Sequence, residues 1–332
     1  MILVVSSPTD GHASAILETL EAAGAEAMLL DLSAFPRELQ LSMEFERDAG
    51  FARSELTHNG VARDLSDCGV VWWRRPQSFV IHDSVGSAVD RAFAFTEGQA
   101  AFSGLWLCLD TFWINHPTRD EEASRKVYQL QMAQAVGLPV PRTCVTNDPA
   151  TAKRFIEAVG VNSTVYKAFA GTEEAWRETR VLRPGEVEQL DAVKYAPVIF
   201  QEYIPPGVDL RITAVNGEMF PAAIHVRDTS YPADFRMSMD EARIEAMQLP
   251  TAVTDKLRLL MQRLGLVYGA IDMRLSDTGE YVFFEVNPAG QWLFVENATG
   301  QPIARALATL MVEKDRAAQS RHGRGDSLRA HA

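Results

Sequence analysis

The sequence predicts an α/β domain followed by an α+β domain, and three features carry that expectation. Residues 1–113 alternate short apolar strands with helical patterns, as in an open sheet covered by helices. Beyond Pro139, strands and helices alternate in a pattern that favours mainly antiparallel pairing. Between the two lies Asn115-His116-Pro117, a punctuator, because the residue before a proline is pushed out of helical geometry.

In chain order, MILVVSS is the first strand, residues 13–23 form a helix stopped by Gly24, and EAMLLDL is the second strand. LSMEFE and FARSELTH follow as short strands, and Asn59-Gly60 is a hairpin turn into VARDL. VVWWRRP is a buried strand ending at Arg74, Arg75 and Pro76. A helix over 84–104 and the strand LDTFWIN close the N-terminal domain at 113. The second domain, 114–312, opens with a helix over 119–136, stopped by Gly137 and Pro139. TCVTN, STVYKAF, VIFQEYI, LRITAVNG and FPAAIHVR are then strands, with helices at TAKRFIEAV and over 252–264. Residues 303–312 suit a dimer face as well as a core helix, and the polar, aperiodic residues 313–332 read as a disordered tail.

Composition excludes several classes. The 332 residues are 47% hydrophobic and 23% charged, a globular mix long enough for two or three subdomains. No apolar run reaches the roughly 18 to 20 residues of a membrane span, and the N-terminus lacks the basic start of a signal peptide. A cytoplasmic protein is expected. A net charge of −12 argues against nucleic-acid binding, which depends on Lys and Arg neutralising phosphates. Cys68, Cys108 and Cys144 are scattered without CxxC spacing, so neither a zinc site nor a disulfide framework is expected. There is no P-loop motif and no strand-linked GxGxxG.

The chemistry concentrates in VYGAIDMRLSDTGEYVFFEVNP, which reads as a hairpin with residues 276–279 as its loop. Pairing Leu275 with Glu280 places Asp272 opposite Phe283 and Ala270 opposite Glu285. Asp272, Glu285 and Asn287 then share a face, on the order of 5 to 8 Å apart, while Ile271, Met273, Phe284 and Val286 form the core. Such hard oxygen donors suit magnesium; the alternative is a solvated face on which Arg274 neutralises one carboxylate. Lys167 sits in the apolar strand VYKAF, where an unpaired ammonium is costly and a bound phosphate removes the cost. Lys126 faces either a ligand or solvent. Around VIFQEYIPPGVDLR, backbone groups can read an adenine edge, Asp209 can accept from ribose and Arg211 can face phosphate; otherwise Asp209 and Arg211 are an i, i+2 surface pair. Arg74 and Arg75 either orient substrate carboxylates or tie the domains together.

In order, INHP with Lys126 and Gln129, VYK, FQEYI with DLR, AIDMR and FFEVNPAGQW resemble the ATP-grasp superfamily over residues 114–311, preceded by a domain like the pre-ATP-grasp domain. VWWRRP, AAIHVRD with DFR, and NPAGQWLFVENATGQPI resemble most the ligases of microviridin-type peptides, the graspetides; ribosomal-protein glutamate ligases share DLR and DFR. Two departures stand out: Pro205-Pro206-Gly207-Val208 occupies a segment that carries a lysine in many peptide ligases, and GTEEAWRETR is poor in glycine for a phosphate-covering loop.

The resemblance implies ATP and Mg2+ as cofactors. Lys126 and Lys167 then contact phosphates, Gln201, Glu202, Tyr203 and Ile204 form the adenine hinge, Asp209 holds ribose, and Asp272, Glu285 and Asn287 hold magnesium. It further implies that Asp or Glu side chains of a precursor peptide become acyl phosphates and close ester or amide rings, with Arg211, Arg236 and Arg274 as catalytic candidates; the alternatives are a RimK-like glutamate or amino-acid ligase and a non-catalytic ATP-binding regulatory module. Residues 171–180 are the expected lid. The peptide's leader docks elsewhere, with GEVEQLD at 185–191 as candidate dock or solvated helix face.

Overall fold

The computed structural model describes the chain apart from residues 48–49, 170–178, 206, 226–239 and 330–332, and apart from the side chains at 50–52 and 322–329. Two compact units result: residues 1–121 with 266–268 and 302–332, and residues 122–265 with 269–301.

The first unit runs β1 (Ile2–Val5), α1 (Gly11–Ala22), β2 (Ala27–Leu30), β3 (Leu39–Glu46), β4 (Gly50–His58), β5 (Val61–Asp64), β6 (Val70–Trp73), α2 (Ala88–Cys108), β7 (Phe112–Ile114) and α3 (Pro117–Ala123). β2-β1-β6-β7 form a parallel sheet. All four β1 residues are fully buried, as a strand covered on both faces requires. Asp10 accepts from the His12 amide and caps α1. Asn59 and Gly60 take positive φ, the turn that joins β4 and β5. Ser87 caps α2, which therefore begins and ends about four residues later than periodicity suggests.

The second unit runs α4 (Lys126–Ala135), β8 (Thr143–Thr146), α5 (Pro149–Val159), β9 (Thr164–Lys167), β10 (Arg180–Val181), α6 (Pro184–Val187), β11 (Val198–Glu202), β12 (Val208–Val215), β13 (Glu218–His225), β14 (Arg243–Ala246), α7 (Thr251–Leu264), β15 (Tyr268–Leu275), β16 (Tyr281–Asn287) and α8 (Leu293–Thr299). One sheet has the order β10-β9-β11-β8, the other β14-β13-β12-β15-β16. Register alternation puts Tyr166 and Phe200 on the face that packs with α5, leaving Lys167, Ile199 and Gln201 on the other.

Three expectations change. The helix over 119–136 is two helices, because Arg125 adopts extended backbone before α4. The loop of the β15–β16 hairpin is 276–280, since Gly279 takes φ 83° and the Ser276 amide donates to the Glu280 carbonyl, so Leu275 pairs with Tyr281 rather than Glu280. Finally, α9 (Ile303–Arg329) replaces a tail expected to be disordered from 313. Ile303, Leu307, Leu310 and Met311 are buried, so 303–312 is a core helix. Beyond them Asp315 is buried and accepts from the Met1 amino group at 2.8 Å, and Ala318 is buried too. A Cβ on Gly69 would meet Asp315, so a glycine is what lets α9 lie against this edge.

Candidate active site

The site is built on one face of β12, β15 and β16. Near the turn Met273 pairs with Phe283; one residue further in, Asp272 pairs with Glu285 and Ala270 with Asn287. Phe284 is the extra residue of a bulge, a device that re-aims side chains. Without it the ladder would set Asp272 opposite Phe284 and turn Glu285 to the other face. The expected grouping of Asp272, Glu285 and Asn287 is thus present, through a different register. The assignment of Phe284 to the core is corrected: Phe283 is fully buried, whereas Phe284 is half-buried with the Arg274 guanidinium 5.7 Å from its ring centre.

Each carboxylate stands against a cation. Arg211 Nη1 donates to both Asp272 oxygens, at 2.8 and 2.9 Å, and Lys126 Nζ to Glu285 Oε2 at 3.0 Å. Lys126 therefore belongs to the cluster and not to a solvated face. Arg211 Nη2 reaches the Gln291 carbonyl at 2.9 Å. That contact needs Gly290: a Cβ there would overlap Ala270 Cβ and come within 3.0 Å of Arg211 Nη2. Asn287 Oδ1 accepts from the Ala289 amide, and Gly290 N donates to Asn287 O, so the turn after β16 is folded around the amide. The PAGQW segment is what anchors Arg211 beside Asp272.

Sequence reasoning gave Gln129 no role of its own. It is buried, and its side chain completes the backbone bonding of Val286 on the edge strand β16: Nε2 donates to Val286 O at 2.8 Å and Oε1 accepts from Val286 N at 2.9 Å. Nε2 also reaches Ala123 O. Lying one helical turn from Lys126, it fixes α4 against the strand that carries Glu285 and Asn287; that i, i+3 spacing was the available signal.

A second ion pair lies on β12 and β15. Arg274 binds Asp209 through Nε and Nη2 at 2.5 and 3.0 Å, both side chains being nearly inaccessible. Its Nη1 donates to Ile204 O at 2.8 Å. This arrangement corrects two expectations. Asp209 is occupied by a buried guanidinium rather than presented to ribose, and Arg274 buttresses the expected hinge instead of facing reacting atoms. Within the hinge, Gln201 Nε2 donates to Thr143 Oγ1 at 2.9 Å, and Glu202 accepts from the Arg142 amide at 3.2 Å. Tyr203 N donates to Ser163 O, and burial pushes its phenol up against the opposing pull of Arg274. Lys167 is half-buried at the end of β9, on the face it shares with Gln201. Arg236 and most of the expected lid lie outside the described residues.

The donors fit magnesium in kind: two carboxylates and an amide oxygen in adjacent cross-strand positions, hard ligands that leave room for water or phosphate oxygens. Arg211 Nε and Thr213 Oγ1 are buried on β12 without a hydrogen-bond partner among the described residues, which marks this strand as polar beyond what those contacts satisfy.

Residues 123–311 match the family model described as a RimK-like ATP-grasp domain, and residues 1–121 one described as an MvdD pre-ATP grasp domain. The chain is similar to the crystal structure of macrocyclase MdnC bound with precursor peptide MdnA from Microcystis aeruginosa MRC, with TM-score 0.83 and 26% identity over 94% of this chain and 99% of that one. A Chryseobacterium gregarium RiPP-associated ATP-grasp ligase in complex with ADP and a leader and core peptide gives TM-score 0.85 and 27% identity, over 94% and 96%. A probable alpha-L-glutamate ligase of Psychromonas ingrahamii is 25% identical over 228 residues, 65% of this chain and 72% of that protein.

Proposed function

This chain belongs to the RimK-like ATP-grasp family and is an ATP-grasp ligase, and from that premise we propose that it closes rings in a ribosomal precursor peptide. ATP's γ-phosphoryl group passes to an Asp or Glu side-chain carboxylate of the peptide, giving an acyl phosphate and ADP. A Ser or Thr hydroxyl, or a Lys amine, of the same peptide attacks the acyl carbon, and phosphate leaves as the ester or amide forms. One observation favours a macrocyclase over the glutamate ligase alternative: residues 1–121 match the family model described as an MvdD pre-ATP grasp domain.

Asp272, Glu285 and Asn287 would hold magnesium, which supplies charge neutralisation at phosphate oxygens when bound. The chain's own work is positioning. Arg211 and Lys126, already against the two carboxylates, keep positive charge where phosphate arrives. Lys167 adds a third cation, and residues 201–204 present backbone to the adenine. Arg274 positions that hinge through Ile204 O. Arg236 remains a candidate for the acyl-phosphate oxygens.

The test uses the full chain with ATP, magnesium and a precursor peptide encoded beside it. The expected product has lost about one water per ring; added glutamate without water loss supports the alternative. Asp272→Ala and Glu285→Ala should each abolish peptide-dependent ADP release, and an undiminished rate in either refutes the metal assignment.

A further inference from the structure

In the first unit, β1 runs to α1 and β2 on one side while β6 lies on its other side, so the carboxyl ends of β1 and β6 flank a topological switch point. Crevices at such points are where open α/β sheets bind ligands. The residues gathered here are polar, with two arginines against one aspartate beyond β1's carboxyl end. Arg74, fully buried, points Nε at Asp10 Oδ2 across 3.1 Å. Asp10 also accepts from Ser6 Oγ at 2.9 Å and meets His12 Nδ1 at 3.2 Å. The amides of Arg74 and Arg75 both donate to Val5 O, pinning the end of β6 to the end of β1. Tyr268 contributes a phenol near Arg74.

Arg75 stands apart within this group. Its side chain is exposed, and among the described residues its guanidinium makes no ion pair. It nevertheless lies close enough to Arg74 and His12 for its charge to disfavour theirs. Arg74 has Asp10 as an ion-pair partner at 3.1 Å, so a carboxylate bound at the exposed Arg75 would give that second guanidinium a counter-ion. Arg75 also sits between Trp73 and Pro76, two residues lining a groove of about 670 Å³ walled by Phe79, Phe95, Trp106 and Leu107. A free oxyanion has no use for such walls; a peptide pairing an acidic residue with an apolar one does.

We propose that this crevice is a peptide-binding site in the first unit, in which Arg75 holds a side-chain carboxylate of an acidic substrate peptide and the aromatic groove takes an adjacent apolar side chain. Arg74 acts behind it as a positioning residue, held by Asp10. The proposal rests on the reading of a peptide substrate given above, and its test is separable from that of ring closure.

The probes are a synthetic peptide with alternating Leu, Asp and Glu, its Asn and Gln counterpart, and inorganic phosphate. Each is titrated into the full chain labelled with 15N-histidine, and His12→Gln identifies the His12 ring signals. The acidic peptide is expected to move those signals and raise the His12 pKa, because a bound anion offsets the two guanidiniums. The neutral counterpart should leave them in place. Arg75→Ala, at an exposed position, should weaken the acidic peptide about tenfold or more, with Arg75→Lys between the two. Three results overturn the proposal: no His12 response to the acidic peptide, equal affinity in Arg75→Ala, or phosphate binding as tightly as the peptide with the same dependence on Arg75. A His12 response without ring formation rejects the ligase substrate and keeps the site. Ring formation without the response does the reverse.

Discussion

Replacing Arg274 by Met would separate the two things its guanidinium does. The side chain is about as voluminous and apolar enough for the site, but Asp209 would be left buried with its cation gone. Removing one partner of a buried pair costs about 3–5 kcal/mol. For a unit the size of residues 122–265 with 269–301, this corresponds to a fall of about 6–20 °C in its melting transition. Adding Asp209→Leu removes the stranded carboxylate, so most of that loss should return, since buried ion pairs are often replaceable by apolar residues. Nucleotide affinity should not return with it, because Ile204 O still lacks the donor that Arg274 supplied at 2.8 Å. Differential scanning calorimetry and ADP titration on wild type, both single variants and the double variant provide the cycle. If the double variant melts as low as the worse single, the pair is not the source of the loss. If it binds ADP like the wild type, Arg274 does not support the hinge and its role on this sheet must be redrawn.

Other expectations follow from the same contacts. Gly290→Ala should cost about 1–3 kcal/mol by overpacking and lower peptide-dependent ADP release, because its Cβ overlaps Ala270 Cβ and crowds Arg211 Nη2; Ala270→Gly in the same chain should restore stability but ADP release only in part, since the crowding of Arg211 persists, measured by melting and a coupled assay. Gln129→Leu leaves Val286 N and O without partners, each at about 1–3 kcal/mol, and should speed hydrogen exchange along β16 before it changes anything in the first unit. Burial, above all, holds the His12 imidazole below its usual 6.5, with Arg74 and Arg75 acting the same way and Asp10 opposing. The unfolded chain therefore binds more protons just below pH 6.5, so His12's contribution is complete above that value and is lost as pH falls through the folded pKa. Urea melts between pH 7.5 and 5 should show a slope that His12→Gln reduces; an unchanged slope refutes this.

How much of this was legible in the sequence depends on whether local pattern or tertiary pairing decided each point. The strands of the first sheet were readable because β1 and β6 are short continuous apolar runs bounded by turn residues, the mark of a strand covered on both faces. Asn59-Gly60 announced its turn because Asn and Gly tolerate the positive φ that both adopt, a local preference that needs no distant partner. The helix break at Arg125 had no such local marker. It depends on Gln129 reaching back to Ala123 O and across to Val286, a contact 157 residues away in sequence. Likewise, nothing in the polar stretch after Val312 suggests a helix until the Met1 amino group and Gly69 are seen against Asp315. The active-site carboxylates fall between these cases. Alternation correctly placed Asp272, Glu285 and Asn287 on one face, but a plain ladder counted from the true loop would have turned Glu285 away. Two departures cancel: the loop is one residue longer than expected, and the bulge at Phe284 adds one residue to β16. Alternation fixes a face only relative to a register, and register is set by loops and bulges that a hydrophobic pattern does not encode. The cost of the bulge falls on Phe284, which gives up the core for the Arg274 guanidinium, and what it achieves is a carboxylate pair facing two cations.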